Sequence, residues 1–172
     1  DKEYTVKVKV SYDQANGTMK AELADKDQKL AFANSYDTET GIDLEGTKSL
    51  SGRTLKDGEF TFEVKDKAGK VVATGSNKSD GSISFNNKLN YKLSDLEKAD
   101  GSYESEKTYE YTVNEVIPEG ATAENNYTVN GVTYDSKTVN VKVTVTYNKE
   151  TGELKAELAK DSEAIAFQNS YE

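Results

Sequence analysis

The chain has no cysteine and no histidine among its 172 residues, and these absences exclude many common catalytic and metal-binding sites. Without them a protein cannot form a disulfide, a Cys/His zinc site, a Ser-His-Asp triad or a Cys-His nucleophile. No apolar run approaches the roughly 18 residues of a membrane-spanning helix. The N-terminal residues 1–3 lead directly into a strand pattern, which predicts neither a signal peptide nor an anchor. We therefore expect a soluble segment of a longer protein.

Apolar residues are scarce but regularly spaced along the sequence. They make up 34% of the chain, and most of them recur at every second position. This alternation is typical of antiparallel strands with one face in water, and it argues against disorder. The net charge of −9 disfavours nucleic acid and anionic membranes as partners. The length suits one domain of ordinary size with some surplus.

A long internal repeat divides the chain. Residues 6–36 align without a gap to residues 141–171, at a constant offset of 135, and 16 of the 31 positions are identical. A period of this length indicates a tandem array of whole domains, each with its own core. We therefore interpret residues 1–37 as the end of a preceding repeat and residues 38–172 as one complete repeat.

Turn signals separate many short strands within the complete repeat. They include Lys56-Asp57-Gly58, Ser79-Asp80-Gly81 and Asn130-Gly131. One stretch, 94–98, is helix-like and short. This arrangement predicts an all-β sandwich. The predicted strands are 42–51, 58–66, 69–76, 81–86, 107–117, 126–130, 137–147, 152–158 and 163–171.

Three polar side chains lie at positions where the alternation predicts apolar ones. Lys48, Glu115 and Asn169 each fall on the apolar side of a predicted strand. Burying any one of them alone costs on the order of several kcal/mol or forces neutralisation of the charge. The simplest explanation is that an amine, a carboxyl and a carboxamide meet and satisfy one another.

Two interpretations of these residues remain open from the pattern alone. In the first, Lys48 reaches the surface, Asn169 bonds to backbone and Glu115 pairs with a nearby cation. In the second, a neutral Lys48 amine attacks the side-chain carbonyl of Asn169, ammonia leaves, and an isopeptide bond forms. A protonated Glu115 would then donate to the Asn169 carbonyl oxygen and relay protons.

Four segments stand out in the complete repeat: GTKSLSGRTLKDGEFTFEVKD (46–66), GSISF (81–85), YEYTVNEV (109–116) and AFQNSY (166–171). Together they resemble the repeated isopeptide-linked domain of Gram-positive pilins and surface adhesins. In that family a lysine of the first strand is joined to the asparagine of a Phe-x-Asn-x-Tyr motif, and a glutamate acts as the acid. The resemblance implies an immunoglobulin-like fold of the CnaB/pilin type, with Lys48, Asn169 and Glu115 in these roles. It covers essentially all of 42–172.

The resemblance also implies a function and a location. We expect a structural stalk repeat of an extracellular cell-wall adhesin or pilus, with no cofactor or metal and no substrate turnover. The alternative is a sandwich that binds a host protein or carbohydrate. The partners of a stalk repeat would be neighbouring repeats of the same polypeptide. Residues 4–36 could also exchange with the equivalent strands of another domain, and Asn34 would be an unreacted half-site in monomers.

Overall fold

The computed structural model describes residues 2–172 and divides between Tyr36 and Asp37 into two compact units. The first is Asp1–Tyr36 and the second is Asp37–Glu172. Asp1, which opens the predicted segment 1–37, lies outside the described residues. The assignment of the first unit to a preceding repeat stays a prediction.

The first unit contains an antiparallel hairpin of β1 (Val8–Asp13) and β2 (Thr18–Leu23). At its turn the Asp13 carboxylate accepts hydrogen bonds from the backbone N–H groups of Ala15 and Asn16. An aspartate that binds backbone two and three residues ahead is a common way to start a turn. The hairpin is therefore specified by its own short sequence.

The second unit is built almost entirely from strands. Short turns join most of them, and two single turns of 3₁₀ helix, Leu93–Leu96 and Ala123–Asn125, interrupt the series. Its strands among the described residues are β3 (Glu39–Ile42), β4 (Glu45–Ser51), β5 (Thr61–Asp66), β6 (Val71–Asn77), β7 (Ser82–Phe85), β8 (Leu89–Lys92), β9 (Glu106–Glu115), β10 (Thr128–Val129), β11 (Val132–Thr133), β12 (Thr138–Asn148), β13 (Glu153–Leu158) and β14 (Ala166–Tyr171).

Ten of these strands form one curled sheet in the order β10-β11-β14-β4-β7-β6-β5-β9-β12-β13, while β3 pairs with β8. Neighbouring strands are antiparallel except β4 and β14, which are parallel. The sheet folds over itself, since the Phe62 ring on β5 lies 5.1 Å from the Phe167 ring on β14. The prediction of an all-β, immunoglobulin-like sandwich is confirmed.

Alternation in the strands places one side of each in the common core. In β12 every second residue from Val139 to Val145 is buried, and the residues between them are more accessible. Among residues 2–172, the structure contains no helix with the length and apolar character that a membrane crossing requires. The largest fully buried apolar side chains are Phe62, Phe167, Leu93, Leu96, Val64, Val113, Val141, Val143 and Val145.

The strands differ from the predicted ones in three places. The predicted strand 42–51 begins later, as β4 at Glu45, while Ile42 ends the separate strand β3, which pairs with a different partner. The short strands β8 and β11 were not predicted, because four and two residues carry too little alternation to be recognised. The helix-like stretch 94–98 is a single 3₁₀ turn at Leu93–Leu96.

Candidate functional site

Lys48, Glu115 and Asn169 meet inside the second unit. Their exposed fractions are 3%, 5% and 5%. The Glu115 carboxylate bridges the other two, because Oε2 accepts a hydrogen bond from Lys48 Nζ at 2.7 Å and Oε1 accepts one from Asn169 Nδ2 at 2.7 Å. The alternation therefore picks out three residues that the fold brings into one cluster.

Strand register explains why these side chains converge. In the parallel ladder of β4 and β14, Lys48 lies opposite Phe167, two positions before Asn169. Glu115 ends β9 and lies opposite Phe62 of β5, on the part of the sheet that folds over β4. The amine and the carboxamide thus come from adjacent strands, and the carboxylate comes from across the core.

Gly81 fixes the backbone beside Lys48. Its carbonyl accepts the Lys48 backbone N–H at 2.7 Å, and its φ of +88° is one that side-chain-bearing residues rarely adopt. A Cβ at this position would lie 2.8 Å from the Lys48 carbonyl oxygen. Gly81, the last residue of the predicted Ser79-Asp80-Gly81 turn, therefore also allows the backbone of the turn to lie close to the strand that carries Lys48.

Aromatic rings make the surroundings of the amine apolar. Lys48 Nζ lies 4.6 Å from the centroid of the Phe60 ring and 6.0 Å from that of Phe62. Such rings attract a cation weakly, but they also exclude the water that would otherwise solvate it. The charged forms of Lys48 and Glu115 are both disfavoured by this exclusion.

The pKa values of the pair move toward each other. Burial lowers the pKa of Lys48, and the hydrogen bond from its amine to Glu115 opposes that shift only in part. Burial likewise raises the pKa of Glu115 against the opposing hydrogen bonds from Lys48 and Asn169. Both directions favour a neutral amine beside a neutral carboxylic acid, which is the state a nucleophilic lysine requires.

The donor to the carbonyl oxygen of Asn169 is a backbone group. The Asp135 N–H donates to Asn169 Oδ1 at 2.9 Å. We expected a protonated Glu115 to fill this role, but Glu115 contacts the nitrogen of the carboxamide instead. The structure therefore separates the two contacts: the Asp135 N–H donates to the carbonyl oxygen, and the Glu115 carboxylate lies between the Lys48 amine and the carboxamide nitrogen.

The Asp135 side chain holds the same strand in place. Its carboxylate accepts the backbone N–H of Gln168 at 3.0 Å and that of Lys137 at 3.2 Å. Burial alone would raise the pKa of Asp135, but these hydrogen bonds and the nearby Lys137 ammonium hold it below its ordinary value. A charged Asp135 thus fixes the residue that precedes Asn169.

Sequence reasoning missed Asp135 and Asn77. Asp135 lies in an irregular segment before β12, where no alternation marks a position as inward. Asn77, 1% exposed, ends β6 and receives the Phe60 backbone N–H on its Oδ1 at 2.8 Å, while its Nδ2 donates to the Lys56 carbonyl at 2.7 Å. It therefore positions the loop that carries the Phe60 ring over Lys48.

Asn34, the other predicted site residue, belongs to the first unit, where its side chain is exposed. The predicted turn at Asp80 is closed by hydrogen bonds from the Ser82 N–H and hydroxyl to the Asp80 carboxylate. Within residues 2–172 no group of three or more acidic side chains is arranged to hold a metal ion.

Several solved structures are similar to this chain. The major pilin from Streptococcus pyogenes is 20% identical over 77% of this chain and 51% of its own, with a TM-score of 0.41. A mutant of that pilin gives 17% identity, the same coverage and a TM-score of 0.42. The T-13 major pilin from the same species is 18% identical over 79% of this chain and 54% of its own, with a TM-score of 0.36. The chain spans about half the length of these structures.

No curated protein matches the chain. A family model does match, over residues 44–172, and its description is FctA, Spy0128-like isopeptide containing domain. The match includes Lys48, Glu115 and Asn169, and it spans the second unit almost completely. The chain therefore belongs to the Spy0128-like isopeptide-containing domain family, a structural family of pilin type rather than a family of turnover enzymes.

Proposed function

We propose that the second unit is a stalk domain of a Gram-positive pilus or cell-wall adhesin, closed by an isopeptide bond between Lys48 and Asn169. The observation that carries this proposal is the buried carboxylate of Glu115, which touches both the amine and the carboxamide at 2.7 Å. A pilin-type domain whose core contains an amine, an acid and an amide in contact has the reactants for its own cross-link.

The reaction begins with a proton transfer within the pair. A proton moves from Lys48 Nζ to Glu115 Oε2, which leaves a neutral amine and a neutral acid. The amine lone pair then attacks Asn169 Cγ, and the carbonyl π electrons move to Oδ1. The Asp135 N–H, already directed at Oδ1, stabilises the developing negative charge as an oxyanion-hole donor does.

Collapse of this intermediate requires two further proton transfers. Glu115 gives its proton to Nδ2 and takes one from Nζ, since its two oxygens contact these two nitrogens. The C–Nδ2 bond breaks, ammonia leaves, and the Cγ–Nζ amide remains beside a protonated Glu115. Because the lysine and the asparagine are consumed, the reaction occurs once per domain.

The cross-link would join β4 and β14, which are adjacent in the large sheet and are its first and last strands in chain order. Lys48 and Asn169 are 121 positions apart, so by analogy with a disulfide the bond stabilises the fold by about 4–5 kcal/mol. Unlike a disulfide, it resists reducing agents. Tension between the chain ends would pass through this bond while most of the domain carries little load, which suits an extracellular fibre exposed to shear and proteases.

Intact-mass measurement tests the proposal. We expect the purified chain to be lighter than its sequence mass by about 17 Da, one ammonia, and a tryptic peptide to join Lys48 to Asn169. Glu115→Gln keeps the shape of the side chain but removes the acid, so bond formation after folding slows by about 10²–10⁴-fold.

Lys48→Met serves as the control, because it fits the same site without a nucleophile and cannot lose ammonia there. A wild-type chain at its full sequence mass, folded and with Lys48 unmodified, would contradict the proposal.

A further inference from the structure

The hairpin of the first unit has the same internal strand register as the hairpin of β12 and β13 in the second unit. In β1 and β2, Val8 lies opposite Leu23 and Asp13 opposite Thr18. At an offset of 135 the equivalent pairs of β12 and β13 are Val143 with Leu158 and Asn148 with Glu153. All six residue pairs of β1 and β2 recur in this way. The duplicated sequence thus forms the same local structure twice.

The two hairpins differ in burial. Val8 and Val10 are each 58% exposed and Met19 is 72% exposed, although all three lie on the apolar side of the hairpin. Their equivalents Val143, Val145 and Leu154 are 0%, 0% and 7% exposed. The first hairpin therefore presents an apolar side that, in its second occurrence, is covered by a sheet.

The segment after the hairpin repeats the difference. Leu30 and Phe32 are 57% and 66% exposed, whereas Ile165 and Phe167 are 7% and 1% exposed. Asn34 keeps the spacing to Phe32 that Asn169 keeps to Phe167. The first unit thus has an apolar closing segment together with the carboxamide that a cross-link would use.

The covering elements in the second unit identify what fits this segment. The β12 residues Val141 and Val143 pair with Tyr111 and Tyr109 of β9. β14 pairs with β4, which carries Lys48. A partner for residues 6–36 therefore needs a β9-type strand with an inward glutamate and a β4-type strand with an inward lysine.

We propose that residues 6–36 are the closing segment of another domain of this same type, and that Asn34 forms the isopeptide bond with that domain's lysine. The chemistry is that proposed for Lys48: the amine displaces ammonia from Cγ of Asn34, and the acid carries protons between the two nitrogens. This inference rests on the proposed function, since it assigns the same reaction to a second asparagine. The covalent cross-links of successive domains would then follow one another along the chain, one for each period of 135 residues.

An extended chain tests the inference. In it, residues 38–140 are followed directly by residues 6–172, so that Val6–Tyr36 replaces Val141–Tyr171 in the first domain while the second stays complete. We expect a mass lower than the sequence mass by about 34 Da, two ammonia molecules. Asn34→Ala reduces the loss to about 17 Da, and so does Asn169→Ala. Lys48→Met in the first domain alone removes only the link to Asn34.

The outcomes separate the two proposals. A loss of about 17 Da, with Asn169 linked and Asn34 unmodified, would overturn the inference and leave the proposed function standing. No loss at all would overturn both. A bond between Asn34 and the lysine of the second domain, unaffected by Lys48→Met in the first, would also refute the assignment.

Discussion

Residues 6–36 and 141–171 share 16 of 31 residues and the same hairpin register, yet one segment is exposed and the other closes a core. Hairpin pairing needs only a turn and alternating residues, and both segments contain these. Burial and reactivity need strands from elsewhere in the chain. The comparison shows that the closing segment supplies one of the three buried polar groups, the carboxamide, while the amine and the carboxylate lie outside it.

The largest difference should appear between the two asparagines. Asn169→Ala prevents the proposed bond, so we expect the free energy of unfolding to fall by about 4–5 kcal/mol and the expected mass loss to disappear. Asn34→Ala changes the stability of the second unit by no more than about 0.5 kcal/mol, because Asn34 is exposed in the isolated chain. Urea denaturation with intact-mass measurement compares the two variants. A bond at Asn34 within a purified wild-type monomer would break the comparison.

The second largest difference should appear in the stability cost of truncating equivalent apolar side chains of the two hairpins. Leu154→Ala leaves a cavity in the core and destabilises by about 2–5 kcal/mol, whereas Met19→Ala at the equivalent exposed position costs less than about 0.5 kcal/mol. Both substitutions are best made in the Asn169→Ala background, where unfolding is not restricted by the cross-link. Equal effects at the two positions, measured by urea denaturation, would mean that the first hairpin is also buried.

Asp135 lies outside the duplicated segment, so substituting it tests how the rest of the domain positions the Asn169 carboxamide. Asp135→Ala releases the Gln168 backbone and shifts the carbonyl donor, and bond formation slows by about 10–100-fold. The rate is followed by intact mass after refolding. Asp135→Asn keeps an acceptor oxygen and should restore most of the rate. If both variants react at the wild-type rate, Asp135 does not position the carboxamide.

The smallest effect concerns the acid and its titration. In Lys48→Met the Glu115 carboxyl is buried without a cation, so burial keeps its pKa above the ordinary 4.5. The native state then holds a proton that the unfolded state has released, and the free energy of unfolding falls as the pH rises from about 4 to 7. Urea denaturation across this range measures the slope.

Lys48→Met/Glu115→Gln is the control for this slope, because it lacks the titrating group and keeps every other carboxylate of the chain. A slope as steep in the control as in Lys48→Met would show that the other acids of the protein cause it.

Strict alternation allowed the inward orientation of Lys48, Glu115 and Asn169 to be predicted from the sequence. Each lies in a strand long enough for its inward side to be recognised, and the fold brings the three together. Asp135 and Asn77 were not predictable in this way, because Asp135 precedes a strand and Asn77 lies one residue beyond the predicted strand 69–76. Their contacts depend on register between distant segments. The strand β8 was missed for the same reason, because its four residues form a strand by pairing with β3 and are too few for their alternation to be recognised.

The parallel pairing of β4 and β14 has a mechanical consequence of its own. Pulling these neighbours from the start of one and the end of the other slides them lengthwise, so the rungs of the ladder resist together. An antiparallel pair joined by a hairpin would instead be unzipped one rung at a time. Even before any covalent closure, this strand order would give the domain a mode of rupture that involves many hydrogen bonds at once.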